Sequence, residues 1–161
     1  MNVFTKRASL EDEDRIKKFI SKAIASNCFQ HELVNNQHNI DFIYSTDIRP
    51  ALVNDDPIVF GLEDGKSIGI SCISTCANQL YHLKSITAVG LFTYVEPEYR
   101  SQGVAYMMHQ HCFNLLKEKG VERVIGEILN SNQDSINSCN FLSKKINAEY
   151  NIYSSKYECR I

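Results

Sequence analysis

Apolar residues recur along the chain with two periods, and the switches between them mark out its elements. Ile16, Phe19, Ile20, Ala23 and Ile24 lie at helical spacing, which predicts an amphipathic helix over residues 10–28. Ser9 stands before it as an N-cap with Asp12 three residues on, and acidic groups favour the positive end of a helix. Residues 3–8 read as a short first strand. Residues 30–56 are polar with loosely spaced apolar positions, which predicts one short helix and a loop ending at the turn-rich Asn54-Asp55-Asp56-Pro57. Residues 57–62 and 67–76 are strand-like, and Glu63-Asp64-Gly65-Lys66 between them is a hairpin signal. Residues 85–95 form a third, longer strand.

The period changes again at Gly103. Val104, Met107, Met108, His111, Cys112, Leu115 and Leu116 form one uninterrupted helix face. Lys117 and Lys119 suit the negative end of that helix, and Gly120 can stop it. Residues 121–129 then read as a strand, 134–146 as a helix, and 149–161 as a strand or a hairpin turning at Ser154-Ser155. The order is β-α-(α)-β-β-β-α-β-α-β, an α/β pattern whose two late crossovers imply parallel pairing.

Composition narrows the class. A chain of 161 residues suits a single domain, residues 1–161. Hydrophobic residues at 43% and charged residues at 22% lie in the globular range and exclude a disordered or collagen-like chain. A net charge of −2 gives no domain-wide basic footprint and speaks against a nucleic-acid acceptor. No apolar run approaches the roughly 18 residues of a membrane span, and the first residues lack the layout of a signal peptide. The six cysteines, at 28, 72, 76, 112, 139 and 159, include no Cys-x-x-Cys pair. Several sit in apolar runs, as free thiols in a reducing cytoplasm would. Cys72 and Cys76 have no matching second ligand pair, so no metal is expected.

The richest chemistry lies between a strand and a helix, in Val95-Glu96-Pro97-Glu98-Tyr99-Arg100-Ser101-Gln102-Gly103-Val104-Ala105. Pro97 stops ladder pairing. Gly103 and Ala105 leave little side chain at the helix mouth, where unpaired N–H groups and the helix dipole can receive an anion such as a pyrophosphate. Arg100 adds a fork of charged donors for phosphate oxygens. The loop chemistry alone fits an ordinary strand-to-helix turn equally well.

The order of residues resembles the acyl-CoA signature of the GNAT superfamily of N-acetyltransferases, Arg/Gln-x-x-Gly-x-Gly/Ala after a strand ending in Val-x-Pro. Here it reads Arg100-Ser101-Gln102-Gly103-Val104-Ala105 after Val95-Glu96-Pro97. The sequence likeness covers roughly residues 86–132, and the element order extends it over the rest. The resemblance implies a GNAT-like three-layer fold, a mixed, splayed central β-sheet flanked by helices. It implies that the backbone of Thr93, Tyr94 and Val95 pairs with the pantetheine amides of acetyl-CoA. It places the pyrophosphate on the N–H groups of Ser101, Gln102, Gly103, Val104 and Ala105 beside Arg100, and matches Asn132 to a cofactor-contacting asparagine.

Acyl transfer to an amine needs a base, because an alkylammonium is mostly charged at neutral pH. Glu127 is the leading candidate. Its strand is apolar on both faces, so a carboxylate there is costly unless it lines a cleft, and desolvation would raise its pKa. The competing reading is a glutamate at a wet strand end or in an ion pair. Glu96 comes second and reads as a solvated loop residue. The general acid is open: Ser143 lies nearest the position where the family often carries a tyrosine, and Tyr150 or Tyr153 reads more simply as strand packing. His111 reads as a core histidine, Cys112 and Cys139 as helix-packing thiols, and the acidic run 11–14 as a solvated helix start.

The expected activity is N-acetyl transfer from acetyl-CoA, as cosubstrate, to a primary amine of a small molecule or peptide by direct attack. Two alternatives remain: a non-catalytic acyl-CoA-binding module, and an interaction module that pairs chains, as in a homodimer, through a sheet edge.

Overall fold

A helix whose apolar residues form one stripe must bury that stripe, and α1 (Glu13–Ala25) buries Ile16, Phe19, Ile20, Ala23 and Ile24. The computed structural model describes residues 2–29, 33–76, 87–128, 132–146, 150–153 and 156–160. A 3-10 turn, Leu10–Asp12, leads into α1. There the Ser9 N–H donates to Asp12 Oδ2 at 3.0 Å, the reciprocal arm of the expected cap.

The polar stretch that follows is more helical than its sequence suggests. α2 (Gln37–Ile43) runs through a π-helical segment (Tyr44–Ile48) into α3 (Arg49–Val53), where a short helix and a loop are expected. Asn36 caps α2, accepting from the Asn39 N–H at 2.9 Å. Ile40, Ile43, Tyr44, Ile48 and Ala51 are buried. The wider π turn keeps these loosely spaced residues facing one way.

The sheet comprises β1 (Val3–Arg7), β2 (Ile58–Glu63), β3 (Lys66–Ser74), β4 (Thr87–Val95), β5 (Arg123–Glu127), β6 (Tyr150–Tyr153) and β7 (Lys156–Arg160), in the order β1-β2-β3-β4-β5-β7-β6. Asp64 and Gly65, both at positive φ, form the expected tight turn between β2 and β3. α4 (Val104–Glu118) crosses from β4 to β5, and that pair is parallel. The second late crossover differs from expectation. α5 (Gln133–Ile146) leads to β6, but β7 turns back and takes the place beside β5, antiparallel to both neighbours. A short hairpin at the C-terminus fills the ladder next to β5 more directly than a lone crossover strand.

Alternate strand residues feed two cores. Phe60, Leu62, Ile70, Cys72, Phe92 and Tyr94 pack against α1, α2 and α3. Val59, Ile68, Ile73, Ala88 and Val124 pack against Val104, Met108, Cys112, Phe113 and Leu116 of α4. Helices, sheet and helices therefore form three layers. A Cβ on Gly61 would come within 2.9 Å of Val104 Cγ1, so the bare glycine lets α4 lie close on β2. Asp56, with a fully buried side chain, ties the layers together. It accepts from the Thr75 N–H at 2.7 Å and from Lys119 Nζ at 2.8 Å, joining the approach to β2, the end of β3 and the end of α4. Among the described residues, no helix is long and apolar enough to cross a membrane, and Cys28, Cys72, Cys76, Cys112 and Cys139 are free.

Candidate active site

Parallel pairing between β4 and β5 is short. Thr87, Ala88 and Val89 face Arg123, Val124 and Ile125, and the ladder then stops. On its other edge β4 continues along β3, but Cys72 pairs with Phe92 while Ile73 pairs with Gly90. Leu91 is therefore an extra residue, a bulge that increases local twist. The pairing with β5 has already ended at Val89, two residues before the bulge, and the second half of β4 has no strand partner on that edge among the described residues, which leaves a gap in the ladder.

The ladder with β3 fixes which main-chain groups face that gap. The Glu96 N–H donates to the Ile68 carbonyl at 2.9 Å, so Ile68 and Glu96 form a hydrogen-bonded pair. Alternation then makes Tyr94 and Phe92 hydrogen-bonded partners of β3, while Val95 and Thr93 are not. The N–H and C=O groups of Thr93 and Val95 thus point away from β3, towards the side β5 has vacated. Tyr94 departs from the expectation for it, because its main chain is engaged by β3. Its side chain lies in the core beside Phe19, with ring centroids 6.0 Å apart, and its hydroxyl donates to Glu96 Oε2 at 3.2 Å. Burial first, and then the Glu96 carboxylate, push the Tyr94 phenol above its ordinary pKa.

Glu96 also departs from expectation. It is buried and accepts from Lys22 of α1, whereas its place before Pro97 suggested a solvated loop. The signal was invisible locally, since Lys22 is 74 positions away.

Beyond Glu96 a 3-10 turn (Pro97–Tyr99) leads to the loop before α4. Ser101 at φ 60° and Gly103 at φ 82° are both left-handed. Such residues turn successive N–H groups into a concavity suited to an anion. Gly103 is the N-cap of α4, and the Met107 N–H donates to its carbonyl at 3.0 Å. Gly103, Val104, Ala105 and Tyr106 therefore carry the helix's four N–H groups that have no intrahelical acceptor. The Arg100 side chain turns back to β4, its Nε donating to the Val95 carbonyl at 3.1 Å and its guanidinium 5.8 Å from the centre of the Tyr94 ring. Its two terminal nitrogens lie beyond that bond. Gln102 turns back to the Glu98 carbonyl at 2.7 Å. Asn132 caps α5, its Oδ1 accepting from the Ser135 N–H at 3.1 Å.

The main chain of Thr93 and Val95 thus lies on the end of β4 that leads, through the 3-10 turn, into the Ser101–Ala105 loop and α4. Residues 23–140 match the Acetyltransferase (GNAT) family. The chain belongs to that family. Its fold is that of an N-acetyltransferase from Staphylococcus aureus Mu50, with a TM-score of 0.71 at 18% identity, covering 100% of this chain and 98% of that one. A ribosomal-protein-alanine N-acetyltransferase from Brucella melitensis superposes with a TM-score of 0.72 at 12% identity, over 98% of this chain and 99% of that one. A phosphinothricin acetyltransferase from Sinorhizobium meliloti, solved with acetyl-CoA, gives a TM-score of 0.70 at 16% identity, over 100% of this chain and 88% of that one. No curated protein matches the sequence.

Within this GNAT frame, Glu127 closes β5, two residues past Ile125, the last residue opposite β4. Its main chain is paired with Lys156 of β7. Ser143 lies in the last turn of α5, and Tyr150 and Tyr153 bound β6. His111 is half-buried, with Nδ1 at 2.9 Å from Thr5 Oγ1 of β1. Asn130 and Ser131 fall outside the described residues. His109, the other histidine of this helix, reaches the Thr93 hydroxyl from α4 at 2.9 Å. Its position four residues before Phe113 was the available signal.

Proposed function

We propose that the protein transfers the acetyl group of acetyl-CoA to the primary amine of a small molecule or peptide. The observation that carries this reading is the coincidence of two vacancies: outward-facing main chain at Thr93 and Val95, and the unpaired first turn of α4 next to it. A pantetheine arm is a chain of secondary amides ending in a diphosphate, so it can pair as a strand with the first and hold its phosphates on the second. In this reading the N–H groups of Ser101, Gln102, Gly103, Val104 and Ala105, with Arg100, hold the pyrophosphate. Asn132 contacts the cosubstrate from the start of α5.

The amine nitrogen attacks the thioester carbonyl within a ternary complex. A carbon–nitrogen bond forms, negative charge gathers on the carbonyl oxygen, and the Val95 or Thr93 N–H in the gap stabilises it. The carbon–sulfur bond then breaks and coenzyme A leaves as a thiolate. Before the attack Glu127, at the end of β5, takes one proton from the ammonium through water and releases it to solvent; the second proton, shed by the nitrogen as the carbon–sulfur bond breaks, goes to the thiolate through water. Ser143 stands nearest the position of a general acid, and a thiolate can also leave unaided. The whole chain serves as one catalytic domain of a reducing cytoplasm.

A thermal-shift titration with acetyl-CoA comes first, and binding raises Tm. Coenzyme A release is then followed against a panel of amines. Glu127→Gln should remove amine-dependent release, most strongly at low pH, where the acceptor cannot shed its proton unaided. Binding without release for any amine would replace this reading with a non-catalytic acyl-CoA-binding module. Absence of binding would remove it altogether.

A further inference from the structure

The helical layer over the sheet holds a cleft of its own. It lies between α1 and the run of α2, π segment and α3, encloses about 460 Å3, and is lined by Glu13, Lys17, Asp41, Phe42, Tyr44 and Arg49. His38 and Ser45 complete the lining. Small-molecule sites begin at about 300 Å3. Glu13 opens α1, and Lys22, which meets Glu96, lies in its last turn, about 13 Å further along the axis. The cleft is therefore separate from the end of β4 and the loop before α4.

The π segment shapes this cleft. Ser45 Oγ and Thr46 Oγ1 both donate to the Phe42 carbonyl, at 3.1 Å and 2.8 Å, so side chains hold the wide turn. Such turns gather at functional sites. Here the turn buries Tyr44 as the floor of the cleft and leaves the Phe42 ring 59% exposed.

The charges indicate what the cleft accepts. Lys17 Nζ lies 2.6 Å from Glu13 Oε1, 2.8 Å from Asp41 Oδ1 and 5.0 Å from the centre of the Tyr44 ring. Gln37 Nε2 donates to the same Asp41 Oδ1 at 3.0 Å. Asp41 Oδ2 is thus left with no partner among the described residues. The Arg49 guanidinium likewise makes no hydrogen bond or ion pair among them, although it is near enough that its charge, after that of Lys17, helps to hold the Glu13 carboxyl below its ordinary pKa. Two carboxylates and two permanent cations leave the cleft without a net field, so a polyanion or a polyamine gains little there. A molecule with one charge of each sign and a flat apolar body matches what is unpaired: a guanidinium fork, a carboxylate oxygen and an exposed ring.

We infer that this cleft is a second binding site, which takes an aromatic α-amino acid with its carboxylate on Arg49, its ammonium on Asp41 Oδ2 and its ring against Phe42.

The test titrates L-phenylalanine, without coenzyme, into the 15N-labelled full chain. Amide signals of residues 38–49 should shift and saturate while those of residues 93–105 stay still. The compounds 3-phenylpropionate, which lacks the ammonium, and 2-phenylethylamine, which lacks the carboxylate, should each bind at least about tenfold more weakly. Arg49→Gln changes an exposed side chain with no hydrogen bond or ion pair to lose, and should weaken L-phenylalanine about tenfold while leaving 2-phenylethylamine unchanged. No saturable shift, equal binding of the three compounds, or an Arg49→Gln variant that binds L-phenylalanine as wild type does each overturns the inference. Shifts confined to residues 93–105 would mark the amino acid as an acetyl acceptor, which overturns this second site and leaves the acyltransferase reading standing. Failure to bind acetyl-CoA bears on that reading alone.

Discussion

Lys22 of α1 and Glu96, 74 positions along the chain, form an ion pair at the end of β4. The Glu96 side chain is 12% exposed and that of Lys22 35%, so the carboxylate is shielded while the ammonium still touches water. Tyr94 donates to the second carboxylate oxygen at 3.2 Å. α1 and the end of β4 are thus pinned together where the chain leaves the sheet for the loop before α4. Both carboxylate oxygens of Glu96 are engaged, one by Lys22 and the other by Tyr94. Glu96→Ala should lower unfolding stability by about 1–3 kcal/mol, because Tyr94 and Lys22 lose their acceptor. Urea denaturation checks the value. A variant with native stability and abolished turnover would instead point to Glu96 as the base.

Asp56 joins strand, loop and helix through a side chain with no solvent contact. Thr75 supplies a backbone N–H and a hydroxyl, both at 2.7 Å. Asp56→Ala leaves Lys119 and these donors without their acceptor and should cost about 3–5 kcal/mol, the range for breaking a buried pair. Chemical denaturation of the purified variant measures it. A loss below about 1 kcal/mol would mean that water replaces the carboxylate freely.

Gly103 has φ 82°, and nothing lies within 4 Å of where a Cβ would stand. The cost of Gly103→Ala is therefore conformational, about 1–2 kcal/mol for a left-handed non-glycine residue. Tm should fall, and acetyl-CoA affinity should fall further than stability alone explains if the loop N–H groups lose their alignment. Paired melting and binding measurements distinguish the two effects.

Burial holds the His109 imidazole down at about 4, below its ordinary 6.5. The unfolded chain therefore takes up this proton before the folded one. The stability that neutral His109 contributes is complete above about pH 6.5 and is lost as pH falls from there through about 4. Relative to His109→Gln, the wild type should lose at most about 1.4 kcal/mol per pH unit across that window. Urea midpoints at several pH values, with NMR titration of the His109 ring, check the sign. A ring that titrates near its ordinary value would show that the pocket admits water.

Legibility followed the range of the interactions. The buried face of α1 and the strand-loop-helix motif were readable because each depends on residues a few positions apart. The face of α4 was readable with one omission: Phe113, off the main stripe, is buried beside His109. Residues 37–53 hide their helical run from local periodicity, since a π segment shifts the apolar period within it. The general acid was not readable from either end, because the family's tyrosine has no match and α5 ends in Ser143-Lys144-Lys145-Ile146.

The amino-acid sequence by itself determined the order of elements, the helix faces and a glycine-bearing helix mouth suited to a diphosphate. These follow from periodicity and local backbone preference, which act within a turn or two of chain. Only the tertiary structure decided that β4 parts from β5 after Val89, that Thr93 and Val95 rather than Tyr94 face the opening, and that β7 lies beside β5. Lys22 meeting Glu96 and His109 meeting Thr93 belong to the same class. Each depends on strand register and layer packing between distant segments, and no local preference encodes which partner a strand or side chain will meet across the core.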